Sequence, residues 1–188
     1  MSEKSLKLHL GCGHKILPGY VNVDKFGEPD LLLDLEEFPW PWEDNSVEEV
    51  VMHHVLEHLG QQTDVYLGLI QELYRVCKSG AIIDIRVPHH RHDNFITDPT
   101  HVRAITPGGL SMFSKRLNQE WKNTGAANTT LGLYLDIDFE VVSSVHVPSG
   151  EWARKWLEKE ITSEALNEAA HRFNNVFEEV QIKLKAIK

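Results

Sequence analysis

Histidine is the side chain whose charge changes nearest neutral pH, and this sequence concentrates it. Seven of its eleven histidines lie between positions 53 and 101: His53, His54, His58, His89, His90, His92 and His101. Such a cluster supports three kinds of chemistry. One imidazole, drawn from His54, His58, His92 or His101, can act as general base on a bound acceptor. Several together, with Asp93, can ligate a metal. In the plainest reading they are polar residues on the wet loops of a cleft. The stretch His54-Val55-Leu56-Glu57-His58 also fits H-x-x-E-H, an inverted zinc-peptidase pattern in which a helix puts both histidines on one face. That pattern belongs inside a helix, whereas His54 directly follows a strand-like run, and Glu57 reads equally as an acid at a helix start. No metal site is assigned from the sequence.

A second group of candidates surrounds Gly11-Cys12-Gly13. A strand ending in Gly-x-Gly turns sharply and lets its backbone approach a ligand, because neither glycine has a side chain in the way. Asp24, closing the next apolar run, suits a ribose diol, since a carboxylate accepts two hydrogen bonds. Asp34 closes a third run, where an adenine would be met. All three features fall at the carboxyl ends of consecutive strands, the usual ligand side of such sheets. Cys12 itself reads as a small turn residue, with no histidine–acid pair dedicated to it. Trp40 and Trp42, beside Pro39 and Pro41, either wall a ligand or cover the edge of a core. Arg86, Arg91 and Arg103 are candidates for holding an anionic acceptor.

Strands and helices in alternation must position these residues. Leu6, Leu8 and Leu10 alternate with Lys7 and His9, predicting a strand into the glycines. Further strands are predicted at Tyr20-Val21-Asn22-Val23, Leu31-Leu32-Leu33, Val50-Val51-Met52 and Ala81-Ile82-Ile83-Asp84-Ile85-Arg86-Val87. Their continuous apolar character fits strands covered on both faces. Tyr66, Leu69, Ile70, Leu73 and Cys77 predict an amphipathic helix with Gly80 as its C-terminal cap. Thr106 and Pro107 predict the start of another, carrying Leu110, Phe113, Leu117 and Trp121. A strand over 139–147 precedes two helical segments, one with Trp152 and Trp156 as core, one capped by Ser163. At the end, Val180, Ile182, Leu184 and Ala186 repeat with period two, favouring a strand over a helix. No repeat or linker divides the chain, so residues 1–188 read as one α/β domain.

Composition narrows the partners. The 188 residues carry 28 acids against 19 strong bases, a formal net charge of −9. That balance disfavours nucleic acid, whose binding rests on neutralised phosphates, and anionic membrane surfaces. No apolar run approaches the ~18 residues of a spanning helix. The start, Met1-Ser2-Glu3-Lys4-Ser5, does not resemble a secretory signal. Two cysteines make no disulfide framework, which favours a reducing, cytoplasmic setting.

At this point the sequence resembles a known family. Leu8-His9-Leu10-Gly11-Cys12-Gly13 is similar to the first motif of class I S-adenosylmethionine-dependent methyltransferases. Val23-Asp24 resembles the ribose-binding acid of that family, and Asp34-Leu35 its adenine-contacting pair. His54-Val55-Leu56-Glu57-His58-Leu59 resembles the segment after its fourth strand. Glu72-Leu73-Tyr74-Arg75-Val76-Cys77-Lys78-Ser79-Gly80 resembles its helix-to-fifth-strand passage, with Ser79 where proline is more usual. Asp98-Pro99-Thr100-His101-Val102-Arg103 resembles a loop of one branch of small members, the type 11-like branch. Six motifs in the right order span the chain from about Leu6 to about Phe113.

The resemblance implies a Rossmann-like, mostly parallel seven-stranded sheet with helices on both faces and the last strand antiparallel. It implies S-adenosyl-L-methionine as cofactor, lined by Leu10, Gly11, Cys12, Gly13, Asp24, Asp34, Leu35 and His53. His54, His58, His92 and His101 fall on the acceptor side with Glu57 and the residues from His89 to Asp93. The Thr106–Trp121 helix and the later helices would form a lid. Two departures stand out: residues 14–20 are too few for the usual first crossover helix, which must be shortened or absent, and His9 replaces a usual acid. The reading is methyl transfer to oxygen, nitrogen or carbon of a small-molecule acceptor, with a homo-oligomer possible. Its rivals are a metal-dependent hydrolase built on the histidine cluster and a non-catalytic binding protein of the same fold.

Overall fold

The computed structural model describes residues 6–188; Met1-Ser2-Glu3-Lys4-Ser5 lies outside the described residues. The strands are β1 (Leu6–Leu10), β2 (Val21–Asp24), β3 (Leu31–Leu32), β4 (Val47–His53), β5 (Cys77–Pro88), β6 (Phe139–Pro148) and β7 (Phe177–Ala186). They form one sheet in the order β3-β2-β1-β4-β5-β7-β6. Neighbours from β3 to β5 pair in parallel, while β7 runs antiparallel to both β5 and β6. In β4, Val50, Val51 and Met52 are all buried in succession, as a strand covered on both faces requires. Helix α1 (Thr63–Val76) supplies Leu69, Ile70, Leu73 and Val76 to the same core as Leu8, Leu10, Val23, Ile83 and Ile85. Burial of each such aliphatic side chain contributes ~1.5–3 kcal/mol.

Residues 11–20 join β1 to β2 with no helix. The buried Asn22 replaces part of the bonding a helix would provide. Its Oδ1 accepts the Leu17 N–H at 2.8 Å and faces His9 Nδ1 at 3.0 Å. Its Nδ2 donates to Asp30 Oδ2 at 2.7 Å and to the Leu17 carbonyl at 3.2 Å, and its main-chain N–H reaches Asp30 Oδ2 at 2.9 Å. Short crossovers leave backbone groups to be satisfied, and a side-chain amide offers both donors and acceptors for them. Those Asn22 bonds also hold the Asp30 carboxyl below its ordinary pKa. His9, where the family usually has an acid, is thus a buried member of this network.

Four local expectations are corrected. Gly80 is not a helix cap: α1 ends at Val76, and Gly80, at φ +84°, lies inside β5 where the register with β4 shifts. The segment from Thr106 to Trp121 is two helices, α3 (Pro107–Ser111) and α4 (Lys115–Thr124), preceded in the chain by α2 (Asp93–Thr97). Thr106 caps α3 as expected, but the Phe113 carbonyl accepts from Phe139 on β6, and Ser114 caps a new start. Between them and β6 lies α5 (Leu131–Tyr134), which no periodicity announced. On α6 (Gly150–Leu157), Trp152 joins a small cluster with Leu166 and Phe177, but Trp156 is 45% exposed. The cap of α7 (Ser163–Arg172) is Thr162, whose Oγ1 accepts the Ala165 N–H. No helix among the described residues is long and apolar enough to cross a membrane.

Candidate functional site

The glycine turn is shaped from both sides. Gly11 and Gly13 take φ of +69° and +52°, and the N–H groups of Gly11 and Cys12 both donate to the Val23 carbonyl. A Cβ on Gly11 would strike the Val55 side chain at 2.2 Å, whereas one on Gly13 would meet nothing within 4 Å. Gly11 is therefore demanded by packing, and Gly13 leaves open space beside the turn. Asp24 ties the turn to its own loop: Oδ2 accepts the Gly13 N–H at 2.8 Å and Oδ1 the Phe26 N–H at 3.0 Å. A carboxylate has about four lone-pair directions, so each oxygen keeps one for a ligand diol.

Gly11, Gly13, Asp24, Asp34 and Leu35 line one cavity of about 510 Å³, with Phe26, Val55 and Leu59 as apolar walls. Asp34 Oδ1 accepts the Glu36 N–H at 3.0 Å, and Lys25 Nζ stands 3.6 Å from Oδ2. Trp40 is buried rather than exposed to the cavity, and its Nε1–H donates to the Leu35 carbonyl. Leu10 and Cys12 have buried side chains and are not among the lining residues. Neither is His53, whose Nε2 lies 3.1 Å from Asp84 Oδ1 and whose pKa burial lowers.

A second cavity, about 470 Å³, shares His54 and His58 with the first and adds Glu57, Asn94, Asp98, His101, Glu178 and Glu179. Its construction begins at His54, which follows β4 in the left-handed region at φ +55° while its N–H still donates to the Arg86 carbonyl. A 3-10 turn, Leu56–His58, comes next. The Glu57 carbonyl accepts from both Val102 and Arg103, which draws residues 98–101 across the turn. Arg103 locks this arrangement through the Gly60 carbonyl at 2.8 Å and the Tyr66 ring at 4.2 Å. The His58 and His101 rings come to 4.6 Å. From the far side, pairing of Pro88 with Glu179 brings β7 carboxylates to the cavity, and Glu179 Oε2 meets His54 Nε2 at 2.9 Å. Glu57, and beside it Glu179, raise the His54 pKa against the lowering effect of burial.

No family model matches the sequence, and no curated protein matches it. Solved structures do. A SAM-dependent methyltransferase from Archaeoglobus fulgidus superposes with a TM-score of 0.57 at 19% identity, covering 96% of this chain and 86% of that one. The 1,6-didemethyltoxoflavin-N1-methyltransferase of Burkholderia thailandensis, with bound 1,6-didemethyltoxoflavin and S-adenosylhomocysteine, gives 0.55 at 10% identity over 99% and 72%. The YcgJ protein of Bacillus subtilis gives 0.52 at 14% identity over 99% and 94%. The fold is that of the class I methyltransferases.

Within this methyltransferase fold the predicted site residues separate. His54 and His58 border both cavities and His101 the second, but His92 does not, its Nδ1 accepting the Asn94 N–H to cap α2. His89 stacks on His90 at 4.4 Å and meets His146 and Phe177, so the histidines after β5 turn toward β6 and β7. The metal grouping with Asp93 does not form: Asp93 bonds Asn175, and the clustered donors are Glu57, His58 and His101. The H-x-x-E-H peptidase geometry also fails, because His54 is not helical and only one 3-10 turn follows it. None of Arg86, Arg91 and Arg103 lines the second cavity, whose walls are carboxylates and imidazoles. Neither cavity is bordered by α3, α4, α6 or α7; Asn94, Asp98, Thr100 and His101 stand where the lid was expected. A third cavity, about 690 Å³, opens at the amino edge of the parallel strands, where Arg75 pairs with Asp44 and Lys115 with Asp136. It gathers none of the candidate residues.

Thr100, Asn94, Glu178 and Glu179 were missed as site residues. Thr100 lay within a loop already matched by motif. The two glutamates had no local signal, since only strand register carries them to the cavity.

Proposed function

We propose that this chain is an S-adenosylmethionine-dependent methyltransferase acting on a small-molecule acceptor through an oxygen, nitrogen or carbon. The observation that carries the reading is the meeting of the two cavities at His54 and His58, one with Asp24 and Asp34 at strand ends, the other lined by titratable groups. The cofactor fits the residues present. Gly13 leaves space beside the turn, Asp24 keeps lone pairs for the ribose hydroxyls, and Asp34 and Leu35 stand ready for the adenine. When bound, S-adenosylmethionine supplies an electrophilic methyl group on a sulfonium.

The protein's task is then placement and proton removal. His54, oriented by Glu179, is the imidazole we assign to receive a proton from the acceptor, because it borders both cavities. His58 and His101 line the acceptor space, and Val55 and Leu59 exclude water beside the reacting centre. We read the chain as one catalytic domain, without nucleic-acid partners, in a reducing cytoplasmic setting. Cys12 and Cys77, both buried and unpaired, support that setting.

The test is calorimetric titration of S-adenosylhomocysteine into chelator-treated protein. Saturable one-to-one binding near the micromolar range is expected. Absence of heat up to millimolar ligand would remove the methyltransferase reading and leave the fold as a binding scaffold.

A further inference from the structure

Glu57 poses a physical problem that methyl transfer does not answer. Its side chain is 1% exposed, and among the described residues neither carboxylate oxygen has a hydrogen-bond partner. A carboxylate withdrawn from water costs several kcal/mol unless an opposite charge compensates it. His54 Nδ1, 3.6 Å from Oε1, is at ion-pair distance but makes no hydrogen bond, and the same ring is shared with Glu179 at 2.9 Å. One donor atom each from Glu57, His58 and His101 lies within 4.8 Å of the others.

Neighbouring groups decide which nitrogen of each ring is free. Thr100 Oγ1 spends its single proton on Asp98 Oδ1 at 2.6 Å, so it accepts from His58 Nδ1–H at 2.9 Å. The Phe95 carbonyl can only accept, which places the proton of His101 on Nδ1 at 2.8 Å. With the proton on Nδ1 in each ring, Nε2 is the nitrogen left to offer a lone pair, and Asp98 Oδ2 stands 3.9 Å from that of His101. Orientation of one ring nitrogen by a carbonyl or hydroxyl, freeing the other, is how metal-ligating histidines are held.

We infer that Glu57, His58 and His101 form a binding site for a late first-row divalent cation, with zinc the best match to two imidazoles and one carboxylate. Three protein ligands leave a position for solvent or an acceptor oxygen, as open zinc sites do. The surrounding Asp98, Glu178 and Glu179 add negative potential that favours a cation. The argument for this site does not use the cofactor reading: it rests on the Glu57 carboxylate and two imidazoles, although His58 also borders the first cavity. It also differs from the H-x-x-E-H arrangement: Glu57 is a ligand here, and the second histidine comes from a distant loop.

Chelator-treated protein is titrated with Co2+, read by visible d–d absorption, and the loaded protein is then competed with Zn2+. One equivalent of Co2+ is expected, displaced by Zn2+. E57Q and H101Q should each weaken Co2+ binding by more than the ~10–100-fold that loss of a supporting partner costs, while H92Q leaves it unchanged. Circular dichroism checks that each variant is folded; should E57Q not fold, H58Q and H101Q carry the same readout. Binding that survives E57Q and H101Q, or no uptake up to about millimolar Co2+, overturns the site. The same samples titrated with S-adenosylhomocysteine report the cofactor pocket separately.

Discussion

The Val55 side chain occupies the space that a Cβ on Gly11 would need, with its Cγ2 only 2.2 Å from that position. The glycine of the turn and the residue after His54 are thus packed directly against each other in the wall of the first cavity. Gly11→Ala should lower stability by ~2–5 kcal/mol, combining the left-handed φ penalty with overpacking. Gly13→Ala should cost only the conformational part, ~1–2 kcal/mol. Urea midpoints of both variants test this, and Val55→Ala in the Gly11→Ala background should recover part of the loss. Equal costs for the two glycines would contradict the packing argument.

Asp24 does two jobs, holding its own loop and presenting lone pairs to the cavity. Asp24→Ala should weaken S-adenosylhomocysteine binding by ~1.5–3 kcal/mol, the worth of hydrogen bonds to a charged group. Asp24→Asn keeps one acceptor oxygen and should lose less. Calorimetry on folded variants decides; unchanged affinity in Asp24→Ala would mean the ribose is placed wrongly.

Asn22 carries the helix-free first crossover. Asn22→Ala removes the bonds to Leu17, His9 and Asp30, of which only His9 is buried, and should destabilise the protein by ~1–3 kcal/mol. Hydrogen exchange should accelerate first over residues 11–24. Uniform acceleration across the sheet would instead point to global unfolding, with no special role for the crossover.

His89 makes stability depend on pH. It is buried, its Nδ1 accepts the Arg91 N–H at 3.2 Å, and its pKa is pushed down to about 4 by burial first and then by His90, His146, Arg91 and His92. The folded pKa lies below the unfolded value near 6.5, so the unfolded chain takes the proton first. Its contribution is complete above about pH 6.5 and is lost as pH falls toward about 4. His90 and His146 shift in the same direction, chiefly through burial. Urea midpoints should therefore fall between about pH 7 and pH 5, and less steeply in His89→Phe. An identical slope in that variant would assign the effect to other groups.

Much of the fold was legible because local pattern reports local structure. Apolar runs ending in Gly11, Asp24 and Asp34 announced strands covered on both faces, and the period of two at Val180, Ile182 and Leu184 announced the last strand, whose antiparallel direction only the family resemblance implied. The single helix expected after Thr106 failed for a non-local reason: the Phe113 carbonyl is taken by Phe139 of β6, so the helix must stop and restart. Gly80 failed likewise, since the buried Cys77 continues the core as strand and moves the glycine into a register shift.

The sequence by itself determined the order of the strands' closing residues, the tight turn at Gly11 and Gly13, and a first crossover too short for its usual helix. Those follow from residue type and spacing over a few positions. Only the tertiary structure decided that Glu57 and His58 meet His101 and that Glu179 meets His54, while His92 turns away to cap a helix. Those encounters depend on backbone bonds from Val102 and Arg103 to Glu57 and on the pairing of β5 with β7. Contacts between residues tens of positions apart are set by packing and register, which leave no trace in local periodicity.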